Sequence, residues 1–186
     1  MTVWELRYTS VNDYAMVVSL DDHDSLAGRF RIDGTPKNWM DRPLVGFADS
    51  TRRKNRRPPA DVSAMVPGVL ILSERAKEVL GPFLSKFGQL LELDCEGTGE
   101  IRYFYNVTNI APCVDVEHSQ KTQLGDVKME LFNETQIPKE AAVFKDPSTL
   151  KVRIYINDAG RAIIDPLIAS AKLTGIECGP LAPLRG

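Results

Sequence analysis

Short runs in which apolar residues crowd together or alternate with polar ones recur along the chain, and most are bounded by Gly, Pro, Asn or Asp. "VWELRY" from Val3, "YAMVVSL" from Tyr14, "GVLIL" from Gly68 and "LLELDC" from Leu90 read as strands. So do "IRYFYNV" from Ile101, "VKMELF" from Val127 and "VRIYI" from Val152, where β-branched and aromatic residues suit a pleated, half-buried surface. In "IRYFYNV" the two-residue period puts Ile101, Tyr103 and Tyr105 on one face and Arg102, Phe104 and Asn106 on the other, so both faces are partly apolar. The glycines of "EGTGE", Glu96 to Glu100, predict a hairpin from "LLELDC" into "IRYFYNV".

Two stretches carry the helical period instead. Behind Ser73, a good N-cap, Ala76, Val79, Leu80, Phe83, Leu84 and Phe87 form one stripe, with Glu74 at the positive end of the helix dipole. Pro82 has no amide hydrogen, which predicts a kink or split and a short second piece reaching Lys86. The second helix is predicted to start after Asn157 and run towards Lys172, burying Ala162, Ile163, Leu167 and Ala171, with Gly175 as its stop signal. Hairpin-linked strands and two main helices, without regular β-α alternation, indicate an α+β fold with a mixed or largely antiparallel sheet. Residues 1–186 read as a single domain. The basic, Pro-rich stretch 48–67 is its best linker and permits two lobes.

Composition narrows the function. At 43% hydrophobic residues the chain can bury a core, while its net charge of -2 repels a polyanion. "TRRKNRRPP" concentrates Arg52, Arg53, Lys54, Arg56 and Arg57, yet no aromatic residue interleaves to stack a base, so a solvated loop is expected and nucleic acid is not a predicted partner. Neither a signal-peptide pattern nor a membrane-length apolar run is present, which predicts a cytoplasmic protein with no membrane partner. Cys95, Cys113 and Cys178 are odd in number and widely spaced, as reduced thiols would be.

Candidate chemistry is thin. "DDHD" (Asp21, Asp22, His23, Asp24) supplies at most two ligands in one direction if extended, and a solvated acidic turn is the better reading; no metal and no cofactor are predicted. In an extended "DVEHS", Asp115, Glu117 and Ser119 share one face and His118 takes the other, which does not assemble a triad. Cys113 has acidic neighbours and reads as a buried small hydrophobe rather than a nucleophile. Tyr103, Phe104 and Tyr105 read as packing residues before a stacking platform. No catalytic residues are assigned, and the chain does not read as an enzyme.

The same residues carry a pattern. "GVLILSERAKEVLGPFL" and "YFYNVTNIAPCVDVEHS", with "DGTPKNWM", "AVFK" and "VRIYINDAGRAII...KLTGIE", resemble the segments of a family of bacterial polymorphic-toxin immunity proteins, formerly described as a domain of unknown function. The resemblance spans roughly residues 28 to 178. It implies a protein that binds and inactivates a cognate toxin. Ser73, Glu74, Asn106, Asp115 and Ser119 match the family pattern, and the pattern is expected to preserve the fold, with Ser73 as a helix cap and Asn106 and Asp115 as partners for buried backbone groups.

Toxin contacts are then expected on loops and sheet surfaces outside the motif. Charge density selects Asp21, Asp22 and Asp24 in the N-terminal turn, and Asp94, Glu96 and Glu100 around the predicted hairpin, as carboxylates for a cationic toxin site. Homo-oligomerisation is compatible with this reading. Two rivals remain open: a small-molecule-binding regulatory domain using the aromatic strand, and a hydrolase that reverses the toxin's modification.

Overall fold

Alternating side chains divide the molecule into three apolar clusters on the faces of two sheets. The computed structural model describes residues 1–9, 11–21, 28–48, 57–96, 98–149 and 152–183. One sheet has four antiparallel strands in the order β10 (Val143–Phe144), β11 (Tyr155–Asn157), β1 (Val3–Tyr8) and β12 (Ile176–Gly179). The other orders six strands as β2 (Val17–Ser19), β3 (Leu44–Phe47), β6 (Gly88–Cys95), β7 (Ile101–Val107), β5 (Leu70–Leu72) and β4 (Val62–Ser63). Its neighbours are antiparallel except for the parallel pair β3 and β6. A small hairpin, β8 (Gln120–Lys121) with β9 (Val127–Met129), stands apart. The α+β class with a mixed sheet is the observed one.

The six-stranded sheet curls towards closure. Val17 N–H donates to the Ala64 carbonyl at 2.8 Å and Ala15 N–H to that of Pro58 at 3.0 Å, so chain flanking β4 meets β2. This pairing occupies part of an edge that would otherwise expose backbone groups. The period-2 faces of "IRYFYNV" appear as expected. Tyr103 and Tyr105 join Leu70 and Leu72 in a core under both helices, while Phe104 and Ile71 enter a cluster on the opposite face. Phe30 and Trp39 cover that opposite face, with ring centroids 5.7 and 5.6 Å from Phe104. The four-stranded sheet behaves likewise: Ile154 and Ile156 face the helices, and Phe144 and Tyr155 face a third cluster with Cys113 and Ile137.

Helix α1 (Glu74–Leu84) starts at Ser73, whose side chain accepts the Ala76 N–H at 3.2 Å. Pro82 neither splits nor extends it; the helix ends at Leu84 and residues 85–87 form a turn. Pro82 sits in the last turn, where its missing amide removes a single bond and Leu80, Phe83 and Leu84 still anchor the buried face. Helix α2 (Asp158–Ala171) is capped by Asn157, as expected, but its buried stripe is shifted. Gly160 and Ile164 are the buried positions, with Leu167, Ile168 and Ala171 half-buried, whereas Ala162 and Ile163 face solvent. The 3.6-residue period is the same; close packing of Gly160 against Ala142 and Ile156 sets its phase. The left-handed C-cap is Lys172, not Gly175, which lies in the turn entering β12.

Candidate functional site

Two of the predicted acidic groups converge at one end of the six-stranded sheet. Asp21, just past β2, accepts the Leu44 N–H at 3.2 Å, and Asp94 on β6 is the register partner of Leu44 on β3. The two carboxylates therefore flank one residue. Glu96 prolongs the β3–β6 pairing, its N–H donating to the Val45 carbonyl at 2.8 Å, and Glu100 across the hairpin lies 3.5 Å from Arg102. Asp22 and Asp24 lie outside the described residues, as do four of the five basic positions, Arg52, Arg53, Lys54 and Arg56. Charge density did not reveal two further members: Arg42 forms ion pairs with Glu92 and with Asp94, the latter at 3.6 Å.

Between these charges the described residues cover the sheet only partly. Helix α1 packs over β5, β6 and β7, and the same face of β2 and β3 continues beyond it. Val17 and Val45 point the other way and are fully buried. Val18, Leu20 and Leu44, on the helix side, stay 37%, 38% and 36% exposed. Leu20 lies against Gly46, where a Cβ would approach its Cδ1 to 3.0 Å. The result is a small aliphatic surface bordered by Asp21, Glu92, Asp94 and Arg42.

The predicted chemical candidates do not assemble. Residues 116–118 form a turn, so the extended reading of "DVEHS" fails. The Asp115 carboxylate accepts the His118 N–H at 3.1 Å and lies 2.8 Å from Nδ1; these contacts hold its pKa below the usual range. Ser119 Oγ donates to the Asp115 carbonyl at 2.6 Å and accepts the Leu131 N–H at 2.9 Å, so it fastens two chain segments. Cys113 is fully buried, and burial together with Asp146 pushes its thiol up to about 12, far from nucleophilic. Among the described residues no group of three or more His, Cys, Asp and Glu could hold a metal ion, and no helix is long and apolar enough to cross a membrane.

Two larger hollows are lined by charges that already have partners. One, of about 760 Å³, opens at the start of α1 beside Asp61, Glu74, Arg75, Glu100 and Arg102. Its Asp61 accepts from Arg75 at 3.2 Å and from the Thr174 N–H at 2.9 Å, and Arg102 donates to the Ala60 carbonyl at 2.7 Å. The other, of about 470 Å³, borders Glu5, Arg7 and Arg153. There Arg153 pairs with Glu5 at 3.1 Å and Glu130 at 2.7 Å, and desolvation raises the Glu5 pKa.

Of the recognised pattern, Asn106 and Ser119 are buried, Ser73 and Asp115 half-buried and Glu74 exposed. Asn106 Nδ2 donates to the Thr35 carbonyl at 2.9 Å and to Gln89 Oε1 at 3.1 Å, which ties the 28–43 segment to the sheet. Ser73 caps α1, and Asp115 closes its own turn rather than serving a buried backbone group. A model of the immunity protein family Imm11 matches residues 10–147, well over half of the chain. No curated protein matches it.

Proposed function

The chain belongs to the Imm11 immunity protein family, and on that premise we propose that it neutralises a cognate toxin by binding it and occluding its active site, rather than by catalysis. The family match carries the reading. In support, Ser73, Asn106 and Ser119 serve the fold, and His118 contacts Asp115 instead of an available nucleophile. Binding then depends on surface outside the motif, and the acidic end of the six-stranded sheet supplies carboxylates that steer a cationic active site into place.

The experiment is co-expression with the toxin encoded beside this chain, followed by co-purification. Protection together with a stable complex is expected. Exchanging Asp21, Asp94, Glu96 and Glu100 for Asn or Gln should slow association about tenfold at low salt and flatten its salt dependence. Exchanging Arg52, Arg53, Lys54, Arg56 and Arg57 for Gln should leave affinity within about threefold, because a cationic toxin site has no use for basic groups. Protection without any complex, accompanied by a chemical change in the toxin or its product, would overturn binding in favour of catalysis.

A further inference from the structure

We propose that the open face of β2 and β3 is the docking centre for the toxin, and that the toxin surface it takes is apolar in the middle and cationic at the edge. This rests on the immunity reading and adds to it the apolar centre and the chemistry of the partner.

Among the described residues, the centre of the six-stranded sheet is covered on both faces. Beneath the helices, Tyr103, Tyr105, Leu70 and Leu72 are nearly inaccessible, and on the opposite face Phe30 and Trp39 close over Phe104. Solvent-facing positions of a half-covered strand normally alternate to polar residues. Here Val18, Leu20 and Leu44 occupy such positions, and each remains more than a third exposed. Their backbone is fixed: Leu20 N–H donates to the Leu44 carbonyl at 3.0 Å and Ala48 N–H to that of Met16 at 2.8 Å. A rigid aliphatic surface loses little conformational entropy on binding, which is the property of a preorganised interface core.

Charge identifies the occupant. Asp21, Glu92, Asp94 and Glu96 border or lie near this surface; among the described residues Arg42 is the base paired with them, shared between Glu92 and Asp94, and Lys77 lies over Tyr103, the register partner of Glu92. Among the described residues the balance is acidic. A second copy of this chain would bring like charge against like charge, whereas a basic rim would pair with the carboxylates left over after Arg42. An apolar small molecule would not need the charged border. Toxins that act on nucleic acid or nucleotides present such cationic surfaces around their substrate sites, so the chemistry fits a partner of that class.

The test uses a catalytically inactive form of the adjacent toxin and the full chain. Leu44→Arg and Leu20→Arg should each weaken binding about 100-fold or more, as loss of an interface hot spot does. Leu124→Arg, at the 90% exposed tip of the β8–β9 hairpin, should leave affinity within about twofold because it lies outside the proposed centre. Circular dichroism and thermal melting confirm folding. If either Arg variant melts early, the rim pair Glu92→Lys with Asp94→Lys replaces it and should slow association about tenfold at low salt.

Folded Leu44 and Leu20 variants that bind like the wild type overturn this surface while leaving immunity intact. Failure of the wild-type chain itself to bind removes the immunity reading and the surface with it. A toxin-free dimer that Leu44→Arg dissolves would assign the face to a second copy.

Discussion

Stability measured across pH should detect Lys145. This side chain is 2% exposed and its ammonium donates to the Gly68 carbonyl at 3.0 Å; burial pushes its pKa from 10.5 down to about 8, against a weaker upward pull from Asp33. Between those two values the unfolded chain still holds the proton that the folded one has released, so stability rises with pH through this window. Below about pH 8 both states are charged, and the fold carries the cost of a buried cation. At full protonation that cost is about 3 kcal/mol, and about 1 kcal/mol of it is relieved between pH 7 and pH 9.

Other groups act oppositely. Burial pushes Cys113 and Tyr103 up to about 12 and raises Cys178, Tyr105 and Tyr155 as well, so above about pH 9 the unfolded chain loses protons that the folded one keeps and stability falls. A comparison with Lys145→Met separates the two trends, because the thiols and phenols are common to both proteins. The bond to Gly68 drops out too, as it is lost at every pH. Urea unfolding at pH 7, 8 and 9 should show the wild type gaining about 1 kcal/mol relative to the variant. Parallel pH profiles would refute the buried-ammonium account and place the Lys145 charge in water.

What the sequence disclosed was local. Ser73 and Asn157 were legible as caps because an N-cap is written in one residue and the few that follow it. The faces of β7 followed from a period of two over seven residues. Strands β3, β4, β8, β10 and β12 have two to four residues each, too few for a period, and they exist because distant partners hold them. The phase of α2 depends on Gly160 meeting Ala142, and the turn at Asp115 depends partly on Leu131, neither of which is a neighbour in sequence. At the candidate surface, charge density found Asp21 and Asp94 but not that one strand would seat them on either side of Leu44. Nor does a run such as "YAMVVSL" reveal which of its aliphatic residues α1 will leave uncovered, because exposure there is decided by where the helix ends, not by the residues themselves.

Two further substitutions test the packing. Gly175 has φ +82° and a Cβ there would come within 2.0 Å of the Val62 carbonyl oxygen, whereas Gly125, at φ +89°, faces open space. Gly125→Ala should cost about 1–2 kcal/mol of backbone strain, and Gly175→Ala should exceed it by about 2 kcal/mol or more in urea unfolding; equal costs would show that the β4–β12 junction yields freely. The second concerns Asn157, whose side chain is fully buried and uses its whole hydrogen-bonding capacity. Its oxygen accepts the Gly160 N–H at 2.9 Å and the Ala142 N–H at 3.1 Å, and its nitrogen donates to the carbonyls of Pro138 at 2.7 Å and Glu140 at 2.6 Å. It therefore caps α2 and fastens the 138–142 segment to β11 at once. Ser73→Ala removes an ordinary cap and should cost about 0.5–2 kcal/mol. Asn157→Ala leaves four backbone groups without their partner and should cost about 4 kcal/mol or more. Asn157→Asp separates the two duties, since it keeps the acceptor for Gly160 but turns a carboxylate towards two carbonyl oxygens. It should remain well below wild-type stability at neutral pH and recover part of the difference in acid, where the protonated group regains one donor. An Asn157→Ala penalty no larger than that of Ser73→Ala would mean that water replaces the side chain, and that the 138–142 segment is held by its other contacts.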